Sequence, residues 1–316
     1  MGERTGSIAG MAPELRERAA LVALLRRPQT SWSDVTLAVL DKGSAVAVLE
    51  SELRLQEVLF AEADPVESAI AEAQKALSAW NSAGIGVHAF FDPDYPSQLR
   101  SIHQMPPVLF SRGMLRADHR AIAVVGTRQA SERGLGIASA VATDLARNGV
   151  TVVSGLAKGI DTAAHRAALE VDGRTVAVVG TGINQFYPAQ NRALQERISR
   201  EGLVISQFWP DTPPHQRNFP MRNAVMSGYA AATVVVEAPW KSGARIQARL
   251  ALEHGRPVVM PDQLLEHDWA RDYAKKPGVH VVASLAELLD VVEELISELN
   301  TGPDSLPEIP TLARSR

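Results

Sequence analysis

The sequence contains no cysteine. That excludes disulfides, thiolate nucleophiles, iron–sulfur clusters and thiolate zinc sites. No apolar run approaches the roughly 18 residues that span a bilayer. The first ten residues, MGERTGSIAG, lack the apolar centre of a signal peptide. A soluble, cytoplasmic chain is therefore expected. No Walker A pattern occurs, which argues against a P-loop ATPase. The eight histidines form neither HExxH nor any paired-ligand spacing, so no metal site is expected, and no cofactor either.

A basic surplus is also missing: the formal net charge is −4. Taken over the whole chain this argues mildly against a nucleic-acid partner. Its distribution argues the other way. Residues 1–91 hold 8 basic and 12 acidic side chains, and 262–316 hold 5 and 11. Residues 111–170 hold 8 and 5, and 211–250 hold 5 and 2. A phosphate chain responds to the local field within about 10 Å, so the basic middle outweighs the acidic ends.

What is present is a change of rhythm. Residues 1–87 read as a small helical domain: ELRERAALVALLRR and PVESAIAEAQKALSAW place apolar residues three or four apart. Its acidic balance suits packing or partner contact better than gripping DNA. Residues 88–120 carry prolines at 93, 96, 106 and 107 and read as an extended connector packed on the next domain. From 121 to 299, seven short, continuously apolar strands (near 121–126, 150–155, 175–180, 203–208, 232–237, 257–261 and 279–284) alternate with helical stretches. That pattern predicts an α/β fold, a Rossmann-like, doubly wound and mostly parallel sheet buried on both faces. A last amphipathic helix covers 285–299, and the polar, proline-rich residues 300–316 read as a disordered tail.

In such folds ligands bind where loops leave the carboxyl ends of the strands. The unusual residues lie there. Gly126-Thr127-Arg128 follows the first strand: the glycine permits a tight exit, and Arg128 is either a fixed phosphate donor or a solvated arginine. Ser154-Gly155, Lys158 and Gly159 follow the second, at a helix start that offers free N–H groups to an anion. Asp161 reads as that helix's N-cap. His165, one turn on, is expected to form a structural pair with it; an acid–base dyad is the lesser alternative. Gly180 and Gly182 follow the third strand, but a lone GxG is too weak to imply NAD. The loop Pro213–Asn223 joins Arg217, Asn218, Phe219, Arg222 and Asn223, the mixture needed to pair phosphates and stack a base. In the bland reading Phe219 is an inward helix staple. Lys241, Ser242 and Gly243 make a further anion cradle after the fifth strand. Two readings of Trp240 stand, a base-stacking ring or a side chain packed on the domain. Two also stand for Glu237, a ligand contact or a hydrogen-bonding orienter.

Read together, DPDYP with LR (92–100), PPVLFSRG (106–113), VVGTR (124–128), GVTVVSGLAKGIDTAAH (149–165), TVAVVGTG (175–182), YP with N (187–191), RNFPMRN (217–223), VVVEA (234–238) and SG (242–243) resemble the DprA/Smf family of DNA-processing proteins. The resemblance covers roughly 88–261. It implies single-stranded DNA binding in a basic pocket of the Rossmann-like domain, presentation of that DNA to a RecA-type recombinase in natural transformation, and a homodimer, with no membrane and no catalysis. Carried over position by position, the DNA contacts are Arg128, Lys158, Arg217, Asn218, Phe219 and Arg222. The chain departs from the pattern in two stretches. SGARIQA (242–248) replaces SGSxxTA, placing Ala244 and Gln247 where a serine and a threonine are usual. After Pro261, Asp262-Gln263 and EHDWARDYAKKPG (266–278) replace a PGS loop. A helix and a short tail are expected where many members of the family carry a C-terminal winged-helix-like domain. These departures suit a divergent paralogue serving another recombination task such as phage defence. Two alternatives accompany the DNA reading: a nucleotide-binding sensor, and a phosphoribohydrolase-like enzyme built on Glu237.

Overall fold

A computed structural model describes residues 12–54 and 64–301. The expected tail falls almost entirely outside them. The chain forms two compact units, one ending at Tyr95 and the other beginning at Pro96.

The first unit holds α1 (Pro13–Leu25), α2 (Trp32–Lys42), α3 (Ala45–Arg54), α4 (Pro65–Ser82) and the short strand β1 (Gly86–Ala89). Leu21, Leu24, Leu49 and Ile70 are fully buried and make its core. Its helix ends are closed by side chains. Asp64 accepts from the Val66 amide at 2.8 Å ahead of Pro65, and the Glu17 carboxylate takes the Ala45 amide at 2.6 Å at the start of α3.

The second unit holds β2 (Val108–Gly113), β3 (Ala121–Val125), α5 (Glu132–Arg147), β4 (Thr151–Ser154), α6 (Ile160–Glu170), β5 (Thr175–Val178), α7 (Arg192–Glu201), β6 (Leu203–Ser206), α8 (Asn218–Tyr229), β7 (Ala232–Val235), α9 (Gly243–Glu253), β8 (Val258–Pro261), α10 (Asp268–Tyr273), β9 (Val279–Val282) and α11 (Leu285–Thr301). Its strands lie in the order β2-β6-β5-β4-β3-β7-β8-β9. All neighbours from β6 to β9 are parallel; β2 alone runs antiparallel, with Phe110 opposite Ser206. This is the Rossmann-like α/β architecture, with each of the seven anticipated strands in place.

Two things differ from the sequence reading. The 88–120 segment is not merely extended: it contains the end of β1, which begins at Gly86, and all of β2, because Pro106 and Pro107 stand before the run VLFS and do not interrupt it. The boundary between the compact units also falls inside that segment.

Every residue of β3, β4, β5, β6 and β7 is buried, as strands covered on both faces require. Ile122 and Val124 join Val141 and Leu145 of α5, Ala164 of α6 and Val292 and Ile296 of α11 in one apolar cluster. Outside that cluster, α8 and α9 pack on each other and on the sheet. At the amino ends of the strands, buried Asp118 accepts from Arg174 Nη2 (2.8 Å), Tyr229 Oη (2.6 Å) and Thr151 Oγ1 (3.0 Å). The carboxyl ends, where ligands bind in this class of fold, lie away from that pin.

Candidate nucleic-acid interface

From β3 the chain proceeds to β4 on one side, and from β7 it proceeds to β8 on the other. Adjacent strands whose continuations diverge leave a crevice beyond their carboxyl ends. A cleft of about 540 Å³ opens there. Four segments line it: the turn Gly126–Gln129 after β3, Ala157 with Asp161 after β4, one face of α8 from Phe219 to Met226, and residues between Pro239 and Gln247 leading into α9.

The mouth combines cations with an aromatic ring. Arg128 is exposed, and its guanidinium carbon lies 5.2 Å from the centre of the half-buried Phe219 ring. Tyr187 stands 5.5 Å from the same ring. Gly180 makes room for it, since a Cβ there would come within 2.8 Å of Phe219 Cδ1. Phe219 is thus neither a free ring nor an inward staple: one edge rests on Gly180 and a face meets Arg128. Opposite, Lys241 is exposed, Ser242 caps α9 by accepting the Ala244 amide at 3.2 Å, and Gly243 has open space around it. Exposed cations beside a helix N-terminus and a stacking face suit a phosphate chain carrying bases.

The floor is built differently. Arg222 is buried, and its Nη1 donates to the carbonyls of Gly155 and of Val178, the latter at 2.8 Å, while Nε donates to Asn223 Oδ1 at 3.0 Å. Burial lowers its pKa to about 10 in spite of the nearby Asp161 carboxylate. Arg222 therefore ties β4 and β5 to α8 from beneath the cleft, and only a small part of it faces a ligand. Asp161 is also buried, which raises its pKa; Arg222 opposes that rise.

Asp161 and His165 do not pair. Asp161 is the second residue of α6, whose N-cap position is Gly159 at φ 75°. Its carboxylate turns back to accept the amides of Gly155 (3.1 Å) and Ala157 (3.3 Å). His165 Nδ1 lies 2.7 Å from Thr175 Oγ1, and that hydroxyl donates to the Val152 carbonyl. The one hydroxyl proton being used there, Nδ1 carries the hydrogen and donates. Full burial lowers the His165 pKa to about 3. Both residues are structural, but with separate partners, because the helix turns one carboxylate towards the preceding loop and the imidazole towards β5.

The anticipated residues thus divide. Gly126, Arg128, Phe219, Arg222, Asn223, Lys241, Ser242 and Gly243 line the cleft. Lys158 and Arg217 are exposed beside it without lining it. The others lie below or behind. Ser154 is wholly buried and donates to the Val124 carbonyl at 2.7 Å. Gly155 lies against the Arg222 guanidinium, Gly159 against the Thr127 carbonyl, and Gly182 against the carbonyls of Trp209 and Pro210. Asn218 is only 4% exposed. These positions shape the site without lining the cleft, and Gly159 alone of them is partly exposed.

Sequence reasoning missed Met226 and Gln247. Met226 continues the α8 stripe of Phe219, Arg222 and Asn223 at helical spacing, a signal that was available. Gln247 is buried; its amide nitrogen donates to the Asn223 carbonyl (3.0 Å) and its oxygen accepts from the Ser227 amide (3.2 Å). Glu237 is an orienter: it accepts from Ser131 Oγ (2.8 Å) and the Ser131 amide (3.1 Å), fixing the start of α5. Among the described residues no cluster of three or more His, Asp or Glu is placed to hold a metal, and no helix is long and apolar enough to cross a membrane.

Comparison with known proteins agrees with this geometry. Residues 86–300 match the family model for DNA recombination-mediator protein A. The chain is 45% identical over 174 residues to Protein Smf of Synechocystis, which covers 53% of this chain. It spans only 43% of that curated relative's length. Among solved structures, DNA processing protein A (DprA) from Streptococcus pneumoniae aligns with a TM-score of 0.66 at 29% identity, covering 89% of this chain and 98% of that one. DNA processing protein A from Helicobacter pylori, whose single-stranded DNA binding mode has been described, aligns with a TM-score of 0.59 at 23% identity over 68% and 96%, a likeness of fold.

Proposed function

The chain belongs to the DNA recombination-mediator protein A family, and on that premise we propose that it binds single-stranded DNA in the cleft between β3 and β7 without doing chemistry on it. Family membership supports a role in DNA processing and recombination. The observation that carries the finer reading is the Arg128–Phe219 contact at the mouth, 5.2 Å from guanidinium carbon to ring centre, with Lys241 on the facing rim. The cation holds a phosphate, and the ring, faced by Arg128 on one side, takes a base. Exposed Lys158 and Arg217 extend the basic path beyond the cleft. In this reading the bound strand is handed to a RecA-type recombinase, by a homodimer in the cytoplasm, in transformation or in a related task such as phage defence.

Titration of oligo-dT and of a duplex of equal length at several salt concentrations tests the proposal. Oligo-dT affinity falls steeply and linearly on a log–log salt plot, and the duplex binds more weakly. A flat salt response, or equal affinity for duplex, defeats it.

One observation favours a second reading. The cleft volume lies in the range of small-molecule sites, so a single free nucleotide is a reasonable occupant. A nucleotide-binding sensor is thermally stabilised by a mononucleotide through mass action. Against the phosphoribohydrolase reading, the Glu237 carboxylate accepts two hydrogen bonds from Ser131, which supports an orienting role for it.

A further inference from the structure

The two stretches in which this chain departs from its family's pattern meet in space. Arg245, in SGARIQA, lies with its guanidinium carbon 3.8 Å from the centre of the Trp240 ring and 5.6 Å from that of Trp269, in DWARDY. The cation thus lies near two indoles, much closer to Trp240. Arg245 Nη1 also donates to the Trp240 carbonyl. Behind it, Trp269 is buried, its Nε1 donates to the Ala238 carbonyl at 2.9 Å, and Tyr273 meets it edge-on at 5.5 Å. A flexible loop would ordinarily fold an indole down onto the nearest apolar surface, because burial of so large a ring is favourable. Here the inward place is filled by Arg245 and Trp269. Trp240 is left 60% exposed. Its sequence neighbours on both sides, Pro239 and Lys241, line the cleft.

Resting on the single-strand reading above, we propose that Trp240 is a second base-stacking platform. The strand places one base at Phe219 and Arg128 and a neighbouring base on the outer face of Trp240, with the intervening phosphate near Lys241. The two stations have the same construction, an aromatic ring against a guanidinium; Phe219 lines the cleft, and Trp240 stands between two residues that do. Arg245 makes Trp240 a rigid platform: it holds the ring at a fixed orientation, so little side-chain freedom is lost when a base arrives.

The test uses the whole chain with two probes of equal length and charge, oligo-dT and an abasic strand. Base stacking on an aromatic ring is worth about tenfold in affinity when the ring is removed. Trp240→Ala is therefore expected to bind oligo-dT about tenfold more weakly than the parent, with an unchanged salt slope and an unchanged melting temperature, while Trp240→Phe keeps most of the affinity. Both variants match the parent on the abasic strand. Trp240 is the exposed member of the five tryptophans, so oligo-dT also quenches emission in the parent and not in Trp240→Phe. If the parent binds oligo-dT and Trp240→Ala binds it equally well, as when the indole serves a protein partner, the platform is wrong and the cleft reading survives. An equal loss on the abasic strand also overturns stacking. If the parent binds neither strand, both readings fall.

Discussion

Gly180 lies directly beneath the Phe219 ring, with room for a hydrogen where any side chain would stand 2.8 Å from Cδ1. The height of that ring above the floor is therefore set by a residue on another loop. Gly180→Ala is expected to lift the ring out of its contact with Arg128 and to weaken oligo-dT binding with little loss of fold, as read by binding isotherms beside a thermal melt.

Arg128 and Phe219 act on different parts of a strand, so their removal leaves different signatures. Arg128→Ala lowers affinity and reduces the magnitude of the salt slope by about one. Phe219→Ala lowers affinity by roughly 1–3 kcal/mol and leaves the slope alone. A fluorescence-anisotropy titration across salt separates the two; identical slopes for both variants contradict the assignment.

Arg222 belongs to stability first. Arg222→Leu removes two carbonyl contacts and leaves the buried Asp161 uncompensated, which costs about 3–5 kcal/mol. Urea denaturation reads the loss, and adding Asp161→Asn to Arg222→Leu is expected to recover part of it. A full-stability Arg222→Leu protein that merely fails to bind DNA would return this arginine to the ligand.

His165 makes folding sensitive to acid. Its folded pKa, about 3, lies below the unfolded value near 6.5. The unfolded chain then takes up the proton first, so the contribution is complete above pH 6.5 and is lost as pH falls towards 3. Between pH 7 and 5 the loss is about 2 kcal/mol. His165→Asn retains a donor for Thr175 and flattens that part of the stability profile; equal slopes in parent and variant rule the residue out as its source.

Glu237→Gln is expected to loosen the start of α5 by roughly 1 kcal/mol, the worth of a hydrogen bond to a charged group less its amide replacement. It leaves oligo-dT binding intact. Release of a base from a nucleoside monophosphate by the parent, abolished in this variant, would revive the enzymatic reading.

Much of this was legible without coordinates, for identifiable reasons. The β-branched runs from Ala121 to Val282 announce strands buried on both faces, and the loops after β3 and β7 are where such a sheet opens. What spacing alone does not reveal is which way a side chain turns. Arg128 and Arg222 look alike in their motifs, yet one leaves a strand end into solvent and the other sits a turn inside α8, facing the sheet. Asp161 and His165 have the spacing of a helical pair, yet a carboxylate in the first turn of a helix finds nearer donors in the loop it has just left. The Trp240–Arg245–Trp269 stack joins segments with no sequence relation, and neither departure from the family pattern predicts the other.

Gln247 has a mechanical consequence. Its amide nitrogen donates to the Asn223 carbonyl and its oxygen accepts from the Ser227 amide, two groups one turn apart on α8. A residue of one wall is thereby stitched into the backbone of the opposite wall. Those two hydrogen bonds fasten α9 to α8 at this point, and widening the gap between the helices there would break both.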